Sequence, residues 1–563
     1  MRGGTQLRMS FVQTAPRLGN QYREDRVLIA HLQRMLAQKT LAAIESDLLA
    51  LGNNAAEAWR SMRQRSAEEP ALTQWDAWGD RVDRIELTRA WRTAQPLAAR
   101  FGLVAAGHEA AYGSAARVHQ FALVYLFHCA SEFYTCPLAM SDGAATVIRA
   151  SGNAALIERV LPRLLSRDPA QHWLSGQWMT ETRGGSDVSG SETTARLIDG
   201  QWRLYGRKWF TSAINAQMAL ALARPEGAPA GAEGLALFCV EPRDAKGAWQ
   251  GVSVDKLKRK LGTRELPTAE IHLDGAPAQL VGAAGHGVRA IAPMLNVTRT
   301  WNAVCAVATM RRALTLALDY AHHRHAFGAA LIKQPLHRAT LADLQARFEA
   351  AFALTFHVVD LLGRAQTGTA TSGEQHQLRL LTPLVKLWTG KLAVALVSEA
   401  CECLGGAGYL EDTGLPQLLR DAQVFPIWEG TTNVLALDFL RALGSAGGID
   451  TLIDAQTALH REIESDDGRH CSNVALEHTA AFAERLRELS TGDRSALEAN
   501  ARDLALGFAQ GCALSLAARH ADWALRGERD VRAMAAARRF SGLLAEPNAL
   551  DDADALAMFA ARG

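Results

Sequence analysis

The sequence predicts an α+β chain, mostly α, with one compact antiparallel β-domain set between helical regions. Three observations carry this. Apolar residues recur at i, i+3 and i+4 through roughly the first 170 residues, alternation replaces that period near residue 172, and the helical period returns near Val288. The chain has 563 residues, 48% hydrophobic and 21% charged, which is ample for several globular domains sharing a sizeable core.

Residues 1–171 are expected to form an N-terminal helical domain. The stretch RVLIAHLQRMLAQKTLAAIESDLLALG has helical spacing and stops at Gly52, and RVHQFALVYLFHCASEFYTC reads as a buried helix turned by Pro137. Residues 172–287 hold the alternating segments QWRLYGRKWFTS, MALALAR, EGLALFCVEPR and TAEIHLDG. Glycine- and proline-rich turns separate them, so they read as a central antiparallel barrel or sandwich. Residues 288–445 contain helical segments at 288–324, 333–364, 374–404 and 431–443, a four-helix bundle. Residues 446–563 read as a further helical extension.

Composition excludes several classes. Lys+Arg is 60 and Asp+Glu is 59, so a net charge of +1 argues against a globally basic nucleic-acid binder. No apolar run reaches about 18 residues, so no membrane span is expected. The opening MRGGTQLRMSFVQTAPRLGN has no apolar core of a signal peptide. The eight cysteines contain one C-x-C pair (Cys401, Cys403) and no C-x-x-C, which reads as free thiols in a reducing cytoplasm and as no zinc site.

Five clusters carry chemistry. In Met179-Thr180-Glu181-Thr182-Arg183-Gly184-Gly185-Ser186-Asp187, glycines beside hydroxyls let backbone N–H groups approach an anion or a flat ring; the competing reading is an ordinary turn. In Gly206-Arg207-Lys208-Trp209-Phe210-Thr211-Ser212, Trp209 could wall a flat cofactor and Thr211 could donate to it, unless Trp209 is simply core. Arg324-His325-Ala326-Phe327-Gly328 closes the long helix that contains Arg299; Arg324 suits a phosphate and Phe327 an adenine face. The nearby His322, His323 and His325 lack a carboxylate or thiol at ligand spacing and read as solvated helix-end residues, not a metal site. Leu404-Gly405-Gly406-Ala407-Gly408-Tyr409 follows a helix, the wrong order for a dinucleotide-binding fingerprint, though its backbone could contact phosphate. Ile427-Trp428-Glu429-Gly430-Thr431-Thr432-Asn433 sets one carboxylate among apolar neighbours, the setting of a general base or of an ordinary helix N-terminal Glu.

Taken together and in this order, over about residues 100–443, these clusters resemble the acyl-CoA dehydrogenase superfamily of flavoproteins. The family pattern is a T-E-x-x-x-G-S-D loop, a K-x-W-I-T type hairpin, an R-x-x-F-G helix end, a G-G-x-G-Y turn and an E-G-T segment. The segments QPLHRATLADL, KLKRKLGTRELPT and RLLTPLVKLWTGKLAVALVSEACECLGGAGYL narrow the likeness to the AidB-like branch, whose extra C-terminal helical domain this chain is long enough to contain.

The resemblance implies FAD, bound between the β-domain and the bundle. Met179, Thr180, Gly185 and Ser186 would lie against it, with Thr180 on the flavin ring and Ser186 near the pyrophosphate or the substrate. Trp209 would pack beside the ring and Thr211 would reach its N5 region. Arg324, Phe327, Gly405 and Gly406 would reach the adenosine half from a neighbouring subunit, and Thr431 and Asn433 would touch the cofactor near the base. Glu429 would take the α-proton of a medium- to long-chain acyl-CoA thioester while a β-hydride moves to flavin N5. Arg299 and Arg441 would lie on the substrate side; Arg441 would pair with Glu429 or restrict the acyl pocket, against the competing reading of a bundle-surface arginine. A role in fatty acid metabolism, a homotetramer built as a dimer of dimers and an electron-transfer flavoprotein as acceptor follow from the same resemblance. Arg183 is a departure, bulky and charged beside the expected site.

Two other functions compete. One is an AidB-like flavin-containing DNA-binding protein of the alkylation-damage response with little dehydrogenase activity. It needs a basic surface on the extension, which instead has 13 Arg, no Lys and 19 Asp/Glu. Its arginines at 519, 526, 529, 532, 538 and 539 are interrupted by acids and read mainly as a solvated face. The other is a flavoprotein that holds acyl-CoA without turnover.

Overall fold

A computed structural model describes residues 13–63, 67–545 and 552–560. Residues 1–12, where the sequence shows no apolar signal-peptide core, lie outside the described residues. The N-terminal region contains α1 (Arg26–Met35), α2 (Gln38–Arg63), α3 (Arg89–Arg100), α4 (Ala116–His128), α5 (Thr135–Ser151) and the short α6 (Ala154–Arg159) and α7 (Leu161–Leu164). It is not wholly helical as the periodicity suggests. An antiparallel hairpin, β1 (Ala71–Trp75) and β2 (Arg81–Glu86), stands between α2 and α3. Its turn, Asp76–Asp80, is stabilised by Asp76 Oδ1, which accepts from the amides of Trp78 and Asp80.

Helix α4 is buried at every position, so it has no polar face for periodicity to reveal. Around it, buried polar groups join the elements. Asp25 caps α1 by accepting from the Val27 and Leu28 amides, and its other oxygen accepts from Tyr125 of α4. On α5, buried Asp142 accepts from Arg117 at 2.6 Å, Gln120 at 2.9 Å and Trp301 at 2.7 Å, and pairs with His108 at 2.8 Å.

The β-domain contains β3 (Ser175–Trp178), β4 (Thr194–Ile198), β5 (Gln201–Ser212), β6 (Met218–Pro225), β7 (Ala236–Val240), β8 (Val252–Leu257) and β9 (Thr268–Leu280). Pairing runs β6–β4–β5–β9–β7 and returns to β6, which closes a barrel; β3 is added on β6 and β8 on β9. The barrel is not purely antiparallel. Strand β6 runs parallel to β3 along Met218–Ala221 and parallel to β4 at Arg224–Pro225. Alternation identifies a strand but not its partner, which is why the sequence did not show this. Inside lie Leu204, Phe238, Val254 and Ile271.

The bundle consists of α8 (Gly287–His323), α9 (Pro335–Gln366), α10 (Ser372–Cys403), α11 (Leu415–Ala422) and α12 (Thr432–Leu443). Between α8 and α9 a minimal hairpin pairs β10 (His325–Ala326) with β11 (Ala329–Ala330). Helix α10 is long and apolar enough to cross a membrane by length and composition, but 83% of its apolar window is buried inside the protein. It is the bundle's core helix, and Thr371 and Glu374 form a capping box at its start.

The extension comprises α13 (Asp450–Glu462), α14 (Asp466–Ser490), α15 (Arg494–Glu528), α16 (Arg532–Ala545) and α17 (Asp552–Met558). Helices α14 and α15 pack closely because Gly511 leaves room beside Thr479: a Cβ there would lie 2.2 Å from its Oγ1. The extension is not a separate appendage. It shares one continuous core with the N-terminal helices and the bundle, and His31 of α1 stacks on His520 of α15 at 3.6 Å.

Candidate active site

A cavity of about 360 Å³ lies where the barrel meets the bundle. One wall is polar and comes from the barrel: Gln177, Thr180, Ser186, Ser212, Lys260 and Thr268, with Met179, Gly185 and Phe210. The opposite wall is mostly apolar and helical: Cys136, Ala139 and Met140 of α5, and Thr298, Trp301, Asn302 and Cys305 of α8. Ile427, Trp428, Glu429 and Gly430, just before α12, close the seam between them.

The Met179–Ser186 loop is held from beneath. Glu181 is buried and accepts from Lys208 Nζ at 2.7 Å, from the Thr193 hydroxyl at 2.6 Å and from the Glu192 amide at 2.7 Å. Burial pushes its carboxyl up, but the Lys208 ammonium and these donors outweigh it and hold it down at about 2. The Trp209 amide donates to Thr180 O at 2.9 Å, tying the loop to β5. Arg183 points away and pairs with Glu192 at 2.7 Å, so it does not obstruct the cavity.

The hairpin faces the cavity one residue out of step with the sequence reading. Phe210 and Ser212 line it, whereas Trp209 and Thr211 do not. The cause is an irregularity in the β5–β9 register between Lys208 and Thr211. A bulge adds a residue and resets which side chains face inward. Lys208 and Thr211 are thus both buried, and the Thr211 hydroxyl is spent on Ala269 O at 2.8 Å. Trp209 lies outside under Lys258, whose Nζ is 3.4 Å from the ring centroid.

Glu429 sits at φ 54° and Gly430 at φ 99°. Two consecutive left-handed residues turn the chain so that the Glu429 side chain enters the cavity while its backbone faces the bundle. Thr298 Oγ1 donates to Glu429 Oε2 at 2.7 Å. Arg299 Nε donates to Glu429 O at 3.4 Å, and Lys386 Nζ donates to Gly430 O at 2.5 Å. Trp428 Nε1 donates to Asn302 Oδ1, which fixes the indole beside the carboxylate.

The two arginines expected on the substrate side are not in the cavity lining. Asp438 of α12 takes Arg299 at 2.7 Å, Arg379 at 2.8 Å and Arg441 at 3.8 Å. Burial raises the Asp438 carboxyl, but Arg379 and Arg299 outweigh it and keep it below the usual carboxylate range. Arg441 is 69% exposed and its partner is Asp438, not Glu429. Arg299 instead supports the backbone of the expected base.

Six further expected residues are not in the lining of this cavity within the single chain. Phe327 and Gly328 form the tip of the β10–β11 hairpin at φ 52° and 81°, the pair of left-handed positions a two-residue turn requires, and Phe327 is 98% exposed. Arg324 ends α8 at the base of the same hairpin. Gly405 and Gly406 follow α10 and are exposed, next to Tyr409. Thr431 caps α12 by accepting from Val434 N, and Asn433 is exposed on its first turn.

The sequence reading missed Gln177, Phe210, Ser212, Lys260, Thr298 and Asn302. For α8 a signal existed: Thr298, Trp301, Asn302 and Cys305 stand at i, i+3, i+4 and i+7, one helix face. Lys260 lies in the KLKRK run, where charge density hides a half-buried member that faces the cavity; burial pushes its ammonium down to about 8.

Comparison with known proteins now decides the family. The N-terminal domain model of the adaptive response protein AidB matches residues 14–169, the acyl-CoA dehydrogenase middle domain matches 176–276, and the acyl-CoA dehydrogenase C-terminal domain matches 285–444. The chain belongs to the acyl-CoA dehydrogenase family, as an AidB-like member. It is 44% identical over 450 residues to acyl-CoA dehydrogenase family member 11 of Caenorhabditis elegans, covering 78% of this chain and 73% of that one. It is 34% identical over 428 residues to AidB of Escherichia coli K12, covering 73% and 76%. Among solved structures, Caenorhabditis elegans ACDH-11 in complex with C11-CoA superposes with a TM-score of 0.90 at 37% identity over 94% of this chain and 92% of that one. The apo-form of Bd2924 gives 0.85 at 42% identity over 91% and 100%.

The family's cofactor is FAD, and the cavity suits its ring system. Two lining residues present buried polar atoms with no partner among the described residues, Gln177 Oε1 and Asn302 Nδ2. Buried polar atoms are nearly always satisfied, so an acceptor and a donor left open on facing walls fit a flat ligand with both kinds of edge group.

Proposed function

We propose that this chain is an FAD-dependent acyl-CoA dehydrogenase acting on a medium- to long-chain thioester. One observation carries the reading: Glu429 stands at the seam between a polar barrel wall suited to the flavin and an apolar helical wall suited to an acyl chain. The bound flavin supplies a two-electron acceptor for the β-hydride.

The chain's own residues do the rest. Met179, Thr180, Gly185, Ser186, Phe210 and Ser212 line the barrel side of the cavity and would hold the ring there. Glu429 takes the α-proton onto its carboxylate, where Thr298 fixes Oε2 and leaves the other oxygen to receive it. Cys136, Ala139, Cys305 and Trp301 exclude water and accommodate the alkyl tail. Burial pushes the Cys136 thiol up to about 12, so it stays protonated and does not compete as a nucleophile for an unsaturated product. The small side chains of Cys136, Ala139 and Cys305 on this wall and the C11-CoA held by the related structure support a tail longer than a few carbons.

A neighbouring subunit would bring Phe327, Arg324, Gly405 and Gly406 to the adenosine half of FAD; exposed Phe327 and Tyr409 support such an interface. A dimer of dimers, an electron-transfer flavoprotein as acceptor and a cytoplasmic location belong to this proposal. The DNA-binding alternative loses support from the extension, where five of the six stripe arginines are paired with acids. Arg519 pairs with Glu462, Arg526 with Glu464 and Asp522, Arg532 with Asp530, Arg538 with Asp467 and Asp554, and Arg539 with Asp343.

The test is an anaerobic titration of the FAD-loaded protein with short-, medium- and long-chain acyl-CoAs, following the oxidised flavin band. Bleaching by one length class, abolished in Glu429→Gln, is the expected result. No bleaching at any length sinks the dehydrogenase reading.

A further inference from the structure

The turn that presents Glu429 is held by two cations on two consecutive carbonyls. Arg299, from α8, donates to Glu429 O at 3.4 Å, and Lys386, from α10, donates to Gly430 O at 2.5 Å. The two are not equivalent. Arg299 is shared with Asp438, which neutralises it. Lys386 is 0% exposed, and no carboxylate forms an ion pair with it among the described residues.

A fully buried ammonium is expensive, and a sequence that needed only a packed helix would place Met or Leu there. Its neighbours on α10, Val385 and Leu387, are ordinary core. What distinguishes position 386 is Gly430 O. Glu429 occupies a left-handed conformation unfavourable for any residue with a Cβ, so something must hold it. A cation on the following carbonyl does so and also places positive charge behind the carboxylate.

We propose that Lys386 is a positioning residue for Glu429: its buried ammonium, donating to Gly430 O, holds the left-handed Glu429–Gly430 turn that aims the carboxylate into the cavity. This rests on the acyl-CoA reading of the site. The charged groups bearing on Lys386 are Glu429 from the turn and Arg299 from α8. Burial pushes its ammonium down to about 7; Glu429 opposes this and Arg299 adds to it. The neighbouring carboxylate is thus part of what keeps the lysine charged.

The experiment uses 3-thiaacyl-CoA analogues, whose acidic α-proton is removed without hydride transfer. The resulting enolate, stacked on oxidised flavin, gives a long-wavelength charge-transfer band. Band amplitude reports deprotonation by Glu429, and the titration midpoint reports binding. Lys386→Met conserves volume and removes a buried charge, so it should fold; FAD content and Tm check this. Lys386→Met is expected to bind the analogue within about threefold of wild type yet lose about tenfold in band amplitude, about 1.4 kcal/mol in positioning. Lys386→Arg, which keeps the charge, is expected to recover part of it. A wild-type band unchanged in Lys386→Met overturns the inference. So does a parallel loss of binding, FAD and Tm, which marks a merely structural lysine. A wild-type protein with no band for any analogue overturns the acyl-CoA reading itself.

Discussion

Thr298 Oγ1 and Glu429 Oε2 lie 2.7 Å apart, joining the cavity-facing stripe of α8 to the carboxylate that enters from before α12. A hydroxyl on one oxygen fixes the carboxylate's rotation, so only the other oxygen is open toward a substrate. Replacing Thr298 by Val keeps shape and removes the donor. A hydrogen bond to a charged group contributes about 1.5–3 kcal/mol. Thr298→Val should therefore slow flavin reduction by acyl-CoA about tenfold or more, with substrate binding little changed. Rapid-mixing anaerobic kinetics would read both.

The bulge in β5 makes opposite predictions for two adjacent residues. Ser212 lines the cavity, and Thr211 is bound to Ala269 O in the barrel. Ser212→Ala should weaken FAD retention and leave Tm nearly unchanged. Thr211→Val should lower stability by about 1 kcal/mol and leave FAD binding intact. Fluorescence of released flavin and thermal unfolding of each variant separate the two. The reverse pattern would restore the register read from the sequence.

Lys208 and Glu181 form a buried pair at 2.7 Å beneath the loop that carries Thr180. Lys208→Met leaves a buried carboxylate without its cation and should cost about 3–5 kcal/mol. The double variant Lys208→Met, Glu181→Leu should recover much of that loss, and denaturant unfolding of all three proteins measures the cycle. The pair also predicts acid sensitivity. Glu181 is held at about 2 in the fold, below the carboxyl's unfolded value of about 4.3, so its contribution is full above pH of about 4.3 and is lost as pH falls toward 2. Wild type should lose stability across that window more steeply than the double variant.

The paired arginines of the extension predict how the protein treats nucleic acid. With Arg519, Arg526, Arg532, Arg538 and Arg539 all engaged by acids, duplex DNA should bind weakly and without a steep dependence on salt. Arg538→Ala should lower Tm by freeing Asp467 and Asp554, not change DNA affinity. Tight binding that falls several hundredfold between low and physiological salt would revive the alternative function.

The sequence by itself determined the order of helices, barrel, helices and extension, because periods of 3.6 and 2 are imposed by which face each element buries. The segments read at 288–324, 333–364 and 374–404 are helices at 287–323, 335–366 and 372–403. Glycine punctuation and charged flanks mark such ends locally. The loop Met179–Ser186 and the carboxylate Glu429 were legible for a related reason: their glycines and isolated charge stand out against their neighbours. Tertiary structure alone decided the rest. The β1–β2 hairpin and the parallel pairing of β6 depend on partners distant in the chain. The bulge that exchanges Trp209 and Thr211 for Phe210 and Ser212 is one unpaired residue with no compositional mark. Arg299 and Arg441 read as ligands for a substrate because a sequence shows charges without their counter-ions, and Asp438, which takes both, stands 139 residues from Arg299 in the chain and meets it only in the folded structure. Lys386 is the extreme case, a lysine amid the apolar run of α10 whose purpose depends on one carbonyl oxygen 44 residues away.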